Sequence, residues 1–155
     1  VSPAGPPPHA ERLLVPWWLC AGVLSFAVLL AAELHLGYGG LRAWVPYVVA
    51  VPVAVALLAW LSRVRVAVSG GELRVDDAHI PVALLADAEV LDPAAKRAAL
   101  GPELDPLAFV VHRPWVRSAV RVTLDDPDDP TPYWLISSRR PEQLVAALGL
   151  PVRSA

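Results

Sequence analysis

The sequence predicts an α+β membrane protein: a two-helix transmembrane hairpin followed by a small, mainly β domain. Three observations carry this. Of 155 residues, 55% are hydrophobic and only 18% charged, with a mean hydropathy of +0.49, too apolar for an ordinary soluble domain of this size. The excess is confined to two uncharged runs near the N-terminus. Beyond them, residues 63–155 hold 11 of the 13 basic and 13 of the 15 acidic residues, the mixture expected of a surface that faces water.

Residues 1–12, VSPAGPPPHAER, are proline-rich and are expected to be disordered. From Leu13 to Ala32 the chain then runs LLVPWWLCAGVLSFAVLLAA, 20 residues without a charge, long enough as a helix to span a hydrocarbon core of about 30 Å. The second span, Ala43 to Leu61, contains Pro46 and Pro52, which a helix tolerates in a bilayer when neighbouring groups satisfy the freed carbonyls, at the expense of a bend. A cleaved signal peptide fits the first run less well. Its apolar stretch is too long, and Arg12 alone precedes it with a positive charge, although Ala31-Ala32 could imitate a cleavage site.

Arg12 precedes the spans and Arg63 and Arg65 follow them, whereas the connection from Glu33 to Arg42 has one acid and one base. The positive-inside bias therefore predicts a multi-pass plasma-membrane protein with both termini cytoplasmic. Trp17, Trp18 and Trp60 then fall at the inner interface, and Tyr38 and Trp44 at the outer one. Ala21/Ser25 and Ala50/Ala54 have the small-xxx-small spacing that lets helices approach closely.

In the expected cytoplasmic domain, residues 63–150, short runs of alternating or β-branched residues lie between turn signals. Strands are predicted over 63–68, 72–75, 79–82 and 86–91, the first two joined by Ser69-Gly70-Gly71. Asp92-Pro93 opens a helix ending before Gly101. Three further strands follow over 109–112, 119–124 and 133–137. Pro141 to Leu148 forms a last helix with Leu144, Val145 and Leu148 on one face, stopped by Gly149 and followed by a tail, 151–155. Seven strands grouped four and three, closed by one amphipathic helix, is the element order of a pleckstrin-homology-like barrel.

The runs ERLLVPWW, AELHLGYGGLRAWVPY, GELRV, KRAALGPELDPLAFVVHRPWV and DPTPYWLISSRRPEQL resemble an actinobacterial family of small membrane proteins described only as a domain of unknown function. The likeness covers Glu11 to Leu148. It implies two membrane helices and a cytoplasmic domain and assigns no activity.

Two clusters are candidate sites. In VVHRPWVRSAVRV, His112, Arg113, Trp115, Arg117 and Arg121 combine cations with an indole, a pairing suited to anionic lipid headgroups and a candidate lipid or partner contact; Arg139 and Arg140, with Arg63 and Arg65, could extend it. The competing explanation is the outward face of ordinary strands. In the outer loop, Glu33, His35 and Arg42 could handle an ion or substrate, which suggests, as an alternative, an auxiliary subunit of a transporter or envelope enzyme. Two potential ligands are too few for zinc, and Glu33 with Arg42 could simply tie the helix ends together. DDPDDPTP at 125–132 lacks the glycine and distal glutamate of a calcium loop and reads as a rigid hairpin tip leading into Tyr133 and Trp134, one of which faces outward.

No GxSxG elbow, glycine-rich phosphate loop or HExxH occurs. Ser137 and Ser138 have no evident His and Asp partners, and Cys20 lies within the first span. The expectation is a non-catalytic binding or scaffolding module with no cofactor, whose partners are the lipid bilayer and another membrane or envelope protein or a second copy. A net charge of −2 argues against nucleic acid.

Overall fold

The structure, a computed structural model, describes residues 8–153. The chain forms two compact units: Leu14–Arg63, and a second unit that combines the segment ending at Leu13 with the chain from Val64 onward.

The first unit is a helical hairpin. Helix α1 spans Trp17–Gly37, a 3-10 turn covers Gly40–Trp44, and α2 spans Val45–Leu61. α1, and α2 taken together with the 3-10 turn that leads into it, are each long and apolar enough to cross a membrane. α1 begins four residues after the start of the uncharged run, because Pro16 holds an extended backbone at its N-cap. It also continues past the last uncharged residue to Gly37, since a charge at position 33 does not itself unwind a helix. The helices meet through Ala27, Ala31, Ala54 and Leu58, all buried. Of the small pairs expected at this contact, Ala54 is buried and Ala50 half-buried, but Ala21 and Ser25 face outward; Ala27 and Ala31 take their place. Pro46 falls in the first turn of α2, where its missing N–H is harmless, and Pro52 lies inside the helix.

The second unit is mostly β. Strands β1 (His9–Arg12), β2 (Arg65–Ser69), β3 (Glu72–Val75) and β4 (Ala78–Pro81) form an antiparallel meander. β5 (Leu85–Leu91), β6 (Phe109–Val111), β7 (Ala119–Leu124), β8 (Tyr133–Ser137) and β9 (Val152–Arg153) form a second sheet in the order β6-β8-β7-β5-β9. Within it β5, β7 and β8 are an antiparallel meander, while β6 and β9 add to its edges in parallel. Gly70 and Gly71, at φ 61° and 79°, make the β2–β3 turn that L side chains resist. Helix α3 is Pro93–Ala99 and α4 is Pro141–Leu148.

Three expectations are corrected here. His9–Arg12, placed in a disordered segment, is a strand whose polar side chains hid it; its register is fixed by Val66 and Val68 of β2. Residues 1–7 of that segment lie outside the described residues. Leu13, assigned to the first span, is fully buried in the β unit, with its N–H bonded to the Val64 carbonyl at 3.1 Å. Val152–Arg153, assigned to a tail, pairs with Ala88 and Glu89; residues 154–155 lie outside the described ones. The described strands thus number nine, not seven, and the four-strand group is β1–β4, with Leu85–Leu91 opening the second sheet.

The core lies among Val66, Leu73 and Val75 of the first sheet, Val120, Val122 and Ile136 of the second, and Leu144, Val145 and Leu148 of α4. Burying each of these side chains contributes about 1.5–3 kcal/mol. α4 stops at Gly149, whose φ of 65° lets its N–H close onto Val145 and Ala146.

Candidate functional site

The second unit carries a basic pocket between α3 and the segment linking β6 to β7. Asp92 caps α3 by accepting hydrogen bonds from the N–H groups of Ala94 and Ala95, both at 2.8 Å. From that start, Pro93, Lys96, Arg97 and Leu100 fall at helical spacing on one side. His112, Pro114, Val116 and Arg117 face them across a cavity of about 380 Å³. Every ionisable side chain lining it is basic.

Lys96 anchors the arrangement. It is 4% exposed, and its ammonium donates to the Val116 carbonyl at 2.5 Å, to Ser137 Oγ at 2.9 Å and to the Arg113 carbonyl at 3.4 Å. Ser137 Oγ also accepts the Arg113 N–H at 3.0 Å, so one buried lysine ties α3 to β8 and to the 113–116 turn. No carboxylate pairs with Lys96 among the described residues. Burial without an anion pushes its pKa down to about 8. His112 is held below the usual imidazole value by partial burial, then by the charges of Lys96 and Arg113.

The contact between Lys96 and Ser137 has the residue types of a serine–lysine pair, but all three protons of this ammonium face acceptors. Ser137 is 1% exposed, beyond reach of a substrate.

The unfolded chain returns Lys96 to about 10.5. Below pH 8 both states carry the proton and the desolvation penalty is fully present. Between pH 8 and 10.5 the unfolded state binds more protons, so stability rises with pH in that window. The unfolding midpoint of the wild type is expected to gain on that of Lys96→Met between pH 7.5 and 10, by on the order of 2 kcal/mol. Denaturant titration of both proteins in micelles measures this.

The other basic candidates divide. Arg117 is exposed at the pocket and makes no hydrogen bond or ion pair among the described residues. Arg97 also lines it; its Nε donates to the Pro93 carbonyl at 3.0 Å. Arg113 turns aside, with Nη1 on the His112 carbonyl and its guanidinium 5.9 Å from the centre of the half-buried Trp115 ring. Arg121 is engaged elsewhere: it faces Glu89 across β5 and β7, bonded at 3.4 Å, approaches Glu103 at 3.8 Å and lies 5.2 Å from the Tyr133 ring centre. Arg139 and Arg140 are exposed where β8 leads into α4 and do not line the pocket. The Arg139 N–H donates to Glu11.

Glu33, His35 and Arg42 do not converge. Because α1 continues through them, Glu33 and His35 point about 200° apart around the helix. The His35 ring donates through Nδ1 to the Ala43 carbonyl at 2.9 Å, with Trp44 and Tyr47 edge-on to it, and so braces the helix ends. No ion pair joins Glu33 to Arg42 among the described residues. Cys20 Sγ lies 3.9 Å from the Val15 carbonyl. In the acidic turn, Asp126 accepts the N–H of Asp128 and Asp129 that of Thr131, and hydrogen bonds from Thr131, first its side-chain hydroxyl and then its N–H, hold the Asp129 carboxyl below its usual value. Of the aromatics that follow, Trp134 is buried against Phe109, and Tyr133 accepts the Asp105 N–H.

Sequence reasoning missed Lys96 and Arg97. A signal was present: Lys96 is the only lysine beside twelve arginines, and a compact ammonium fits among three converging acceptors where a planar guanidinium does not.

A family model described as "Protein of unknown function (DUF3093)" matches residues 8–148, which includes both helices and all but the last strand. The chain belongs to this family. Comparison with curated proteins finds no match, and neither does comparison with solved structures. Membership in the DUF3093 family therefore carries no assigned chemistry, and function must be argued from the two units themselves.

Proposed function

We propose that the chain is a multi-pass plasma-membrane protein whose helical hairpin holds a non-catalytic binding module at the cytoplasmic face. The observation that carries this reading is where the hairpin is inserted. The chain leaves the β unit at Leu13 and re-enters it at Val64, and those two residues are hydrogen-bonded neighbours. An insert with adjacent ends crosses a bilayer an even number of times, so β1 and the chain after β2 share one side. Arg12, Arg63 and Arg65 flank the insert and favour the cytoplasm for that side. Exposed Trp17, Trp18 and Trp60 at one end of the hairpin, and Tyr38 and Trp44 at the other, suit two interfacial belts.

The four-strand meander, the antiparallel β5-β7-β8 meander and the closing helix α4 support a pleckstrin-homology-like module. On this reading the hairpin is an insertion after the first strand, and β6 and β9 are edge additions. Its partners are the bilayer and a second membrane or envelope protein or another copy of the chain, and not nucleic acid.

The test is thiol accessibility in a Cys20→Ala background. In intact cells a membrane-impermeant maleimide is expected to label Gly39→Cys in the outer turn, and to label Asp77→Cys in the β unit only after lysis. Labelling of Asp77→Cys in intact cells would overturn the orientation.

A further inference from the structure

We propose that the pocket between α3 and the His112–Arg117 segment binds a phosphate monoester, carried either by a lipid headgroup or by a small soluble molecule. The inference rests on the binding-module reading and names the ligand chemistry of that module. Three cationic side chains, Lys96, Arg97 and Arg117, and the imidazole of His112 line one cavity that no carboxylate lines. Elsewhere on the same unit Glu72 holds Arg74, and Glu89 with Glu103 holds Arg121, whereas among the described residues no such ion pair reaches Lys96, Arg97 or Arg117. Among those residues the charge of the pocket is left without an acid.

Lys96 sharpens the point. Its three donors are taken by two carbonyls and a hydroxyl, which satisfy its hydrogen bonds and leave its full positive charge beneath the pocket floor. A buried charge without a counter-ion is unfavourable, and an anion entering the pocket relieves it. The shape of the charge selects the anion. Arg97 and Arg117 can each offer paired N–H groups, which match phosphate oxygens in a bidentate geometry. His112 stands ready as one further donor, and a dianion draws it toward its protonated form. A cavity of about 380 Å³ is larger than phosphate alone requires and leaves room for the group that carries it.

The experiment uses the full chain in phosphatidylcholine nanodiscs, titrated calorimetrically with inorganic phosphate and with glycerol 3-phosphate. Saturable binding of either is expected, with affinity weakened at least tenfold in Arg97→Gln/Arg117→Gln. Arg74→Gln, an exposed arginine outside the pocket, is expected to bind like wild type. Both arginines of the double variant are at the surface, and an unchanged unfolding midpoint verifies its fold. A second set of discs includes phosphatidic acid, whose headgroup is itself a phosphate monoester. Loss of phosphate binding in those discs assigns the site to a lipid headgroup; undiminished binding assigns it to a soluble ligand. Either result supports the pocket. The proposal is overturned if neither phosphate compound binds saturably in phosphatidylcholine discs, or if the double variant binds as tightly as wild type. A chain that binds phosphate but fails the maleimide test keeps the site and loses the cytoplasmic orientation, so the two failures are distinct.

Discussion

Glu11→Pro is expected to destabilise the β unit by about 2–3 kcal/mol, whereas Ala10→Pro, one residue earlier, is expected to change its stability by less than about 1 kcal/mol. The difference follows from the alternation of an antiparallel ladder. Leu13 and Val64 are a hydrogen-bonded pair, so the next such pair along the same strands is Glu11 with Val66, and Arg12 and Ala10 point their N–H groups away from β2. β1 is the edge of its sheet. Proline at position 10 therefore removes a donor that faces the open edge, while proline at 11 orphans the carbonyl of the fully buried Val66. It also removes the carboxylate that accepts the Arg139 N–H, and Glu11→Ala isolates that smaller contribution. Urea unfolding in micelles, followed by tryptophan fluorescence, reads all three. Equal effects at 10 and 11 would mean that His9–Arg12 is not paired in this register.

That strand also marks where sequence reading stops. The two long apolar helices were legible because each coincides with an uncharged apolar run of about 20 residues. α4 was legible because Pro141, the 144–145–148 face and Gly149 are local signals that agree with one another. β1 has no such signal: HAER alternates in burial but not in hydrophobicity, and its partner lies on the far side of the hairpin. The parallel β6–β8 pairing is equally silent, since three residues of strand do not encode which neighbour they join. At the candidate site, the sequence picked out His112 and Arg117 from the density of arginine around tryptophan. It also picked out Arg121, because an acid lying across a sheet is invisible to linear spacing. Lys96 was hidden for the opposite reason: in PAAKRAAL a cation between alanines looks solvent-facing until the three acceptors are brought to it by β8 and the 113–116 turn.

The larger effect belongs to Phe26→Arg/Leu29→Arg in α1, which is expected to reduce the membrane-retained fraction at least tenfold. Phe26 and Leu29 are 68% and 65% exposed on the hairpin, one turn apart and near the middle of a 21-residue helix, itself about 31 Å long. In water, replacing two exposed apolar side chains by arginine improves solubility and leaves helix packing alone, because the helices meet through Ala27, Ala31, Ala54 and Leu58. In a bilayer the same positions face lipid, and each arginine near the helix centre costs about 2.5–3.5 kcal/mol on insertion scales. The two environments thus predict opposite signs for one variant. Leu36→Arg is the internal control: at 84% exposed and one residue from the end of α1, its side chain reaches the interface and retention is expected to stay near wild type. Fractionation after an alkaline carbonate wash reads the retained protein directly. If the double variant instead accumulates as soluble, folded chain at wild-type yield, the exposed apolar faces of the hairpin are not a lipid contact, and the even-crossing argument from Leu13 and Val64 loses the bilayer on which it depends.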